Sequence, residues 1–185
     1  MLPARIDLLL PDWVADVVDP ARTFPADADK VALAVELSRL NVAHGSGGPF
    51  GAAVFGPDHR VIAAGVNRVV PQNTSLAHAE NMAYMLAQQH LRTFRINAVA
   101  APATLATSAQ PCCQCYGATV WAGIDRLLIG ARAEDVMELT PFDEGPLPAD
   151  WVGELEKRGI AVVRDLHREA ARDVLRRYGE DGARY

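Results

Sequence analysis

The chain has 185 residues, half of them hydrophobic, and a formal net charge of −5. That length is enough for one domain with a sizeable core, and the mildly acidic surface with interleaved signs argues against nucleic acid as an electrostatic partner. No apolar run approaches a bilayer span, and the N-terminus carries acids and Trp where a signal peptide has a basic start, so a cytoplasmic protein without a membrane partner is expected.

Residues 1–28 read as an N-terminal arm that Pro3, Pro11, Pro20 and Pro25 keep extended or broken by short turns. From Asp29 to His44, Val31, Leu33, Val35, Leu37, Leu40 and Val42 fit a largely buried helix, with Asp27 or Asp29 as its cap and Gly45 as its stop. Phe50 to Phe55 and Arg60 to Arg68 predict a β-hairpin across Gly56-Pro57-Asp58. Asn73, Thr74 and Ser75 offer caps for a helix over 77–90, whose first turn holds His78 and Glu80. A strand over 98–107 then leads into a helix starting near Cys112, with Pro111 at its entry. A strand over 126–130, a helix over 133–139, a turn-rich loop over 141–148 and a strand over 159–166 follow. In the tail, Leu166, Ala170, Val174 and Tyr178 recur one helical turn apart, an amphipathic stripe. Arg164, Arg168, Arg172, Arg176 and Arg177 alternate there with Asp165, Glu169 and Asp173, as on a solvated helix face. This order predicts one α/β domain over 1–185, a five-stranded sheet between layers of helices.

The chemistry concentrates in two short segments, His78-Ala79-Glu80 and Pro111-Cys112-Cys113-Gln114-Cys115. Three clustered cysteines cannot make a paired disulfide framework, and in a reducing compartment such a cluster reads as metal-binding. Cys112 and Cys115, three apart at a helix start, face the same way, and His78 completes a three-ligand zinc site with one open position. A water in that position has its pKa brought down to about 7, and Glu80 stands two residues from the His to handle the proton. Both segments open helices, whose positive N-termini favour thiolates. A redox Cys-x-x-Cys pair would explain neither His78 nor Glu80. A closed structural zinc needs a fourth ligand, and Cys113 is offset by about 100° on the helix, which suits a small core residue better than a ligand. His44, His59, His90 and His167 are read as surface or capping residues, and Trp121 as a core or interface aromatic.

The spacing His-x-Glu…Pro-Cys-x-x-Cys resembles the cytidine-deaminase superfamily. Gly47-Gly48-Pro49-Phe50-Gly51-Ala52, Asn67, Ser108-Ala109-Gln110-Pro111-Cys112 and Phe142-Asp143-Glu144-Gly145 resemble its guanine-deaminase-like branch of free-base deaminases. The resemblance implies a three-layer α/β/α sandwich with a five-stranded mixed sheet and one Zn2+ per chain. It also implies a homodimer in which the segment 142–185 can exchange between subunits. The implied site has His78, Cys112 and Cys115 as ligands and Glu80 and Glu144 as catalytic groups. Phe50 packs on the planar base, Asn67 pairs with its edge, the Ala79 N–H donates to a carbonyl, and Phe142 and Asp143 line the pocket.

The implied reaction is hydrolytic deamination of a free nucleobase, guanine to xanthine and ammonia first. Related aminated heterocycles, an s-triazine such as ammeline or a cytosine analogue, come next. Deamination of tRNA adenosine uses the same zinc signature but is disfavoured by the acidic charge and by Phe142 to Gly145. A non-catalytic zinc-stabilised binding module is disfavoured by the presence of Glu80 beside only three good ligands. Gln110 stands where a Glu usually precedes Pro-Cys, Asn81 follows Glu80 where an apolar residue is common, and Cys113-Gln114 replaces a more apolar pair. Such changes at a pocket edge would shift which base is preferred.

Overall fold

The computed structural model describes Leu2 and residues 4–180, so Pro3 and the last five residues of the C-terminal segment lie outside the described residues. A mixed five-stranded sheet runs in the order β2-β1-β3-β4-β5, built from β1 (Gly51–Phe55), β2 (Val61–Val66), β3 (Thr104–Ala109), β4 (Arg126–Ala131) and β5 (Ala161–Val163). β1 pairs antiparallel with β2 and with β3, while β3, β4 and β5 are mutually parallel.

Both faces of the sheet are covered, as a largely parallel sheet requires. Strand alternation sorts the side chains. Ala53 and Phe55 of β1 and Leu128 of β4 face a core shared with α1 (Trp13–Val17), α2 (Asp27–Ala43), α5 (Ala133–Leu139) and α7 (Arg168–Glu180). Ala52, Val54, Leu127 and Ile129 face the opposite core, made with α3 (Ala79–Leu91), α4 (Cys113–Ala122) and α6 (Trp151–Glu156). The three layers predicted from the resemblance are therefore present.

The topology brings one end of the sheet together as a platform. Gly51 pairs with Val66, and the Gly51 N–H donates to Ser108 Oγ at 3.1 Å, so the start of β1 lies beside the ends of β2 and β3. Phe50, Asn67 and Gln110 thus leave three adjacent strands at the same edge. Gly65 lets α3 sit directly on β2, because a Cβ there would collide with the Ala79 carbonyl oxygen.

Several local expectations are corrected. The arm contains the short helix α1, and α6 was not foreseen; both are too short to display a hydrophobic period. The strand expected over 98–107 starts only at Thr104, after a 3-10 turn at Ile96–Ala98 and after Pro102, which has no N–H for the ladder. The strand expected over 159–166 is reduced to Ala161–Val163. Asp27 and Asp29 do not cap α2: the N-cap is Ala26, and Asp27 instead pairs with Arg126 at 2.6 Å and Lys30 at 3.4 Å. Asn73, Thr74 and Ser75 do not cap α3, whose N-cap is His78 itself. On α7 the buried stripe is Ala171, Val174, Leu175 and Tyr178, with Ala170 exposed.

Candidate active site

His78 and Cys112 are the N-cap residues of α3 and α4, and Cys115 lies in the first turn of α4. His78 Nδ1 is 3.5 Å from Cys112 Sγ and 3.5 Å from Cys115 Sγ, and the three ligand atoms lie within 4.8 Å of one another. A tetrahedral zinc with Zn–S of about 2.3 Å and Zn–N of about 2.0–2.1 Å separates its sulfur and nitrogen ligands by roughly 3.5 Å, so the donor set fits the ion. The two helices are locked in this relation from behind. Tyr84 of α3 and Thr119 of α4 share a buried hydroxyl contact of 2.8 Å, and Thr119 Oγ1 donates to the Cys115 carbonyl at 2.8 Å.

Above the ligands lies a cavity of about 150 Å³ lined by Phe50, Asn67, His78, Glu80, Gln110, Cys112, Phe142, Asp143 and Glu144. Residues from five separated stretches of sequence therefore converge. Ala79 is fully buried at the start of α3 but does not line this cavity. Asn67 Oδ1 accepts the Val69 N–H at 3.2 Å, which orients the amide. The ring centroid of Phe50 is 5.6 Å from that of Phe142, itself 5.7 Å from Tyr178. Asp143 is exposed, and its Oδ1 accepts the Gly145 N–H at 2.9 Å, closing a turn.

The electrostatics are those of a site that gathers acids around one imidazole. Burial, with the charge at Cys112 added, pushes the Glu80 carboxyl up to about 7. Burial, then the charges at Cys112 and Glu80, push Glu144 up to about 8. Cys112 falls to about 4 because the Cys115 thiol hydrogen-bonds to it, and Cys115 is raised correspondingly by that bond and by burial. Two thiols and two carboxyls around His78 make a set that a divalent cation would neutralise.

Some residues behave differently from expectation. Cys113 is exposed and is neither a core residue nor part of the ligand cluster. Asn81 points away from the cavity, its Nδ2 donating to the Leu76 carbonyl at 3.0 Å, whereas Gln110 lines the cavity. The histidines outside the site take no part in it; His44 stacks on Trp13 at 5.2 Å. Asn41, read only as part of a helix, is fully buried and acts as a staple. Its Nδ2 donates to the carbonyls of Gly48 at 2.8 Å and Asn67 at 2.9 Å, while its Oδ1 accepts from Ser46 Oγ at 2.8 Å. It thereby fixes the glycine-rich turn before Phe50 against the end of β2.

An open three-ligand metal centre on two helix N-termini, with a buried carboxylate beside it, defines the zinc-dependent deaminase class. Residues 26–131 match the cytidine and deoxycytidylate deaminase zinc-binding region, and the chain belongs to that family. It is similar over nearly its whole length to the crystal structure of guanine deaminase from Nitrosomonas europaea, with 41% identity, 97% of this chain and 99% of that one covered, and a TM-score of 0.91. The guanine deaminase of Bacillus subtilis is 36% identical over 60% of this chain and 67% of its own. A tRNA-specific adenosine deaminase of Buchnera aphidicola is 31% identical over 63% of this chain and 70% of its own.

Proposed function

We propose that the protein hydrolyses guanine to xanthine and ammonia, with closely related aminated purines as secondary substrates. The observation that carries this reading is the convergence of Phe50, Asn67, Glu80 and Glu144 on one cavity above His78 and Cys112. It is supported by the full-length likeness to a guanine deaminase and to the protein NE0047 in complex with 2,6-diaminopurine, 42% identical with a TM-score of 0.90. His78, Cys112 and Cys115 would hold zinc, which when bound lowers the pKa of a water to about 7 and supplies the nucleophile.

The residues of the chain then have the following work. Glu80 accepts a proton from the attacking water as its oxygen bonds to the amino-bearing ring carbon, and returns it to the adjacent ring nitrogen. The carbon–nitrogen bond breaks as Glu80 takes the remaining proton of the added hydroxyl and passes it to the amine, with Glu144 at the amine, so that ammonia leaves and the carbonyl remains. Phe50 and Phe142, packed against each other, offer an apolar wall for the ring plane, and Asn67 pairs with its edge. The Ala79 N–H, at the start of α3, remains a proposed donor to a substrate carbonyl.

The test is ammonia release from guanine by the zinc-loaded protein. Rapid release that Glu80→Ala abolishes supports the reading, and no release from a protein holding one zinc per chain would overturn it. The tRNA reading, favoured by the Buchnera relative, predicts instead turnover of transfer RNA that collapses as salt rises. We further propose a cytoplasmic homodimer. Phe94, 83% exposed, and Trp121, 77% exposed, flank an apolar groove over α3 and α4 that also includes Leu76 and Met85.

A further inference from the structure

The segment carrying Glu144 is tied to the helix carrying the cysteines. Cys113, the first residue of α4, donates its main-chain N–H to the Glu144 carbonyl at 2.9 Å, so a donor with no partner inside the helix is satisfied by this segment. On one side Phe142 is wedged between Phe50 and Tyr178. On the other, Gly145 turns back at φ +67°, and a Cβ built there would stand 2.6 Å from Cys113 Sγ and 3.3 Å from Cys113 Cβ. A residue without a side chain is what allows the segment to turn this close to α4.

We propose that Gly145 is a positioning residue: packed against the Cys113 side chain, it keeps the Glu144 carbonyl on the first free N–H of α4 and so holds the Glu144 carboxyl in the cavity beside Glu80. The inference rests on the reading of Glu144 as a participant in deamination. An alanine at position 145 must turn the Cys113 thiol aside, and with φ held at +67° and Cys113 Cβ still 3.3 Å away the remaining pressure falls on α4 or on the segment. α4 is held by the metal ligands Cys112 and Cys115 and by the Thr119–Tyr84 contact. The segment has exposed residues on both sides of Glu144, Asp143 and Gly145. The segment therefore yields, and Glu144 moves with it.

Three variants test this in the zinc-loaded protein with guanine: Gly145→Ala, the double variant Cys113→Ala with Gly145→Ala, and Glu144→Gln. Gly145→Ala is expected to keep its zinc and to lose kcat on the order of 10–100-fold, the scale of a misplacement near 1 Å. The double variant shares the same backbone strain but lacks the sulfur, and should recover most of the loss. Wild-type kcat in Gly145→Ala, or a double variant no faster than the single, would overturn the proposal. Should Gly145→Ala not fold, complete alkylation of Cys113 in the zinc-loaded native protein applies the same push from the other side, and an unaltered kcat then overturns it. Turnover that survives Glu144→Gln overturns instead the role of Glu144. Loss in Glu144→Gln beside an undisturbed Gly145→Ala removes only the clasp.

Discussion

Glu80 and Glu144 share one cavity but reach it by different means: Glu80 is fixed in the first turn of α3, whereas Glu144 depends on an irregular segment. Replacing Glu80 by Gln removes the proton carrier while leaving His78, Cys112 and Cys115 in place. Turnover should fall on the order of 10²–10⁴-fold with zinc content unchanged; metal analysis beside single-turnover kinetics would check both halves. Gln110 calls for a subtler experiment. Its side chain is 6% exposed, lines the cavity, and makes no hydrogen bond among the described residues. A carboxamide so placed can pair with the substrate, so Gln110→Ala should raise KM for guanine about 5–10-fold, the cost of one hydrogen bond, while kcat changes little. An unchanged KM would show that the amide does not reach the base. These residues differ in how visible they were in the sequence. Metal ligands and Glu80 are legible because few residue types do that chemistry and their spacing repeats helical geometry. Asn41, Tyr84 and Thr119 are not, because a buried polar residue that staples two loops looks in sequence like any polar position on a helix.

At the scale of elements, the long helices were readable, as were β4 and the seven-residue α5, while the short α1 and α6 were not. α2, α3 and α4 declare themselves through buried apolar runs and helix-opening motifs, and their ends shift by only a few residues. α1, α6 and the truncated β5 are fixed by tertiary packing and by nothing periodic in their own few residues. α7 shows what such packing costs and returns. Its Arg168 and Arg172 converge on the buried Asp135 of α5, Arg168 at 2.7 Å through both carboxylate oxygens, while Asp135 also accepts the Arg132 N–H at 2.8 Å. Burial alone would raise this carboxyl; the arginines and the backbone N–H outweigh it and hold it well below the usual carboxylate range. A folded-state value depressed in this way gives stability that is fully present above the unfolded value of about 3.9 and is lost as pH falls through the folded one. Asp135→Asn should therefore lower the melting temperature by a few degrees at pH 7. Its difference from the native protein should shrink as the pH is taken below 4 and vanish at still lower pH. A difference that stays constant across an acid titration would mean that the carboxylate charge is not what anchors α7.

For the molecule as a whole, charge and exposed apolar surface point to different partners. A net charge of −5 gives no basic footprint for a phosphate backbone, so guanine turnover should be nearly indifferent to salt between about 50 and 200 mM, where a nucleic-acid substrate would lose orders of magnitude in affinity. The apolar groove over α3 and α4 has the opposite character. Its exposed Phe94 and Trp121 are the large aromatic anchors that dominate protein interfaces; Trp121 projects from α4 and Phe94 from the turn that follows α3. A two-fold contact on that face would brace α3 against α4 from outside, as Tyr84 and Thr119 brace them from within. Trp121→Glu places a charge at the centre of such a contact and should convert a two-chain sedimentation mass into a one-chain mass at micromolar concentration. Because the ligand geometry depends on the same two helices, the resulting monomer should also release zinc to a chelator faster than the native protein does. A native protein already sedimenting as a single chain would exclude the contact, and the bracing of the metal helices would then come from within the chain, through Tyr84, Thr119, their shared apolar core and the close seating of α3 on Gly65.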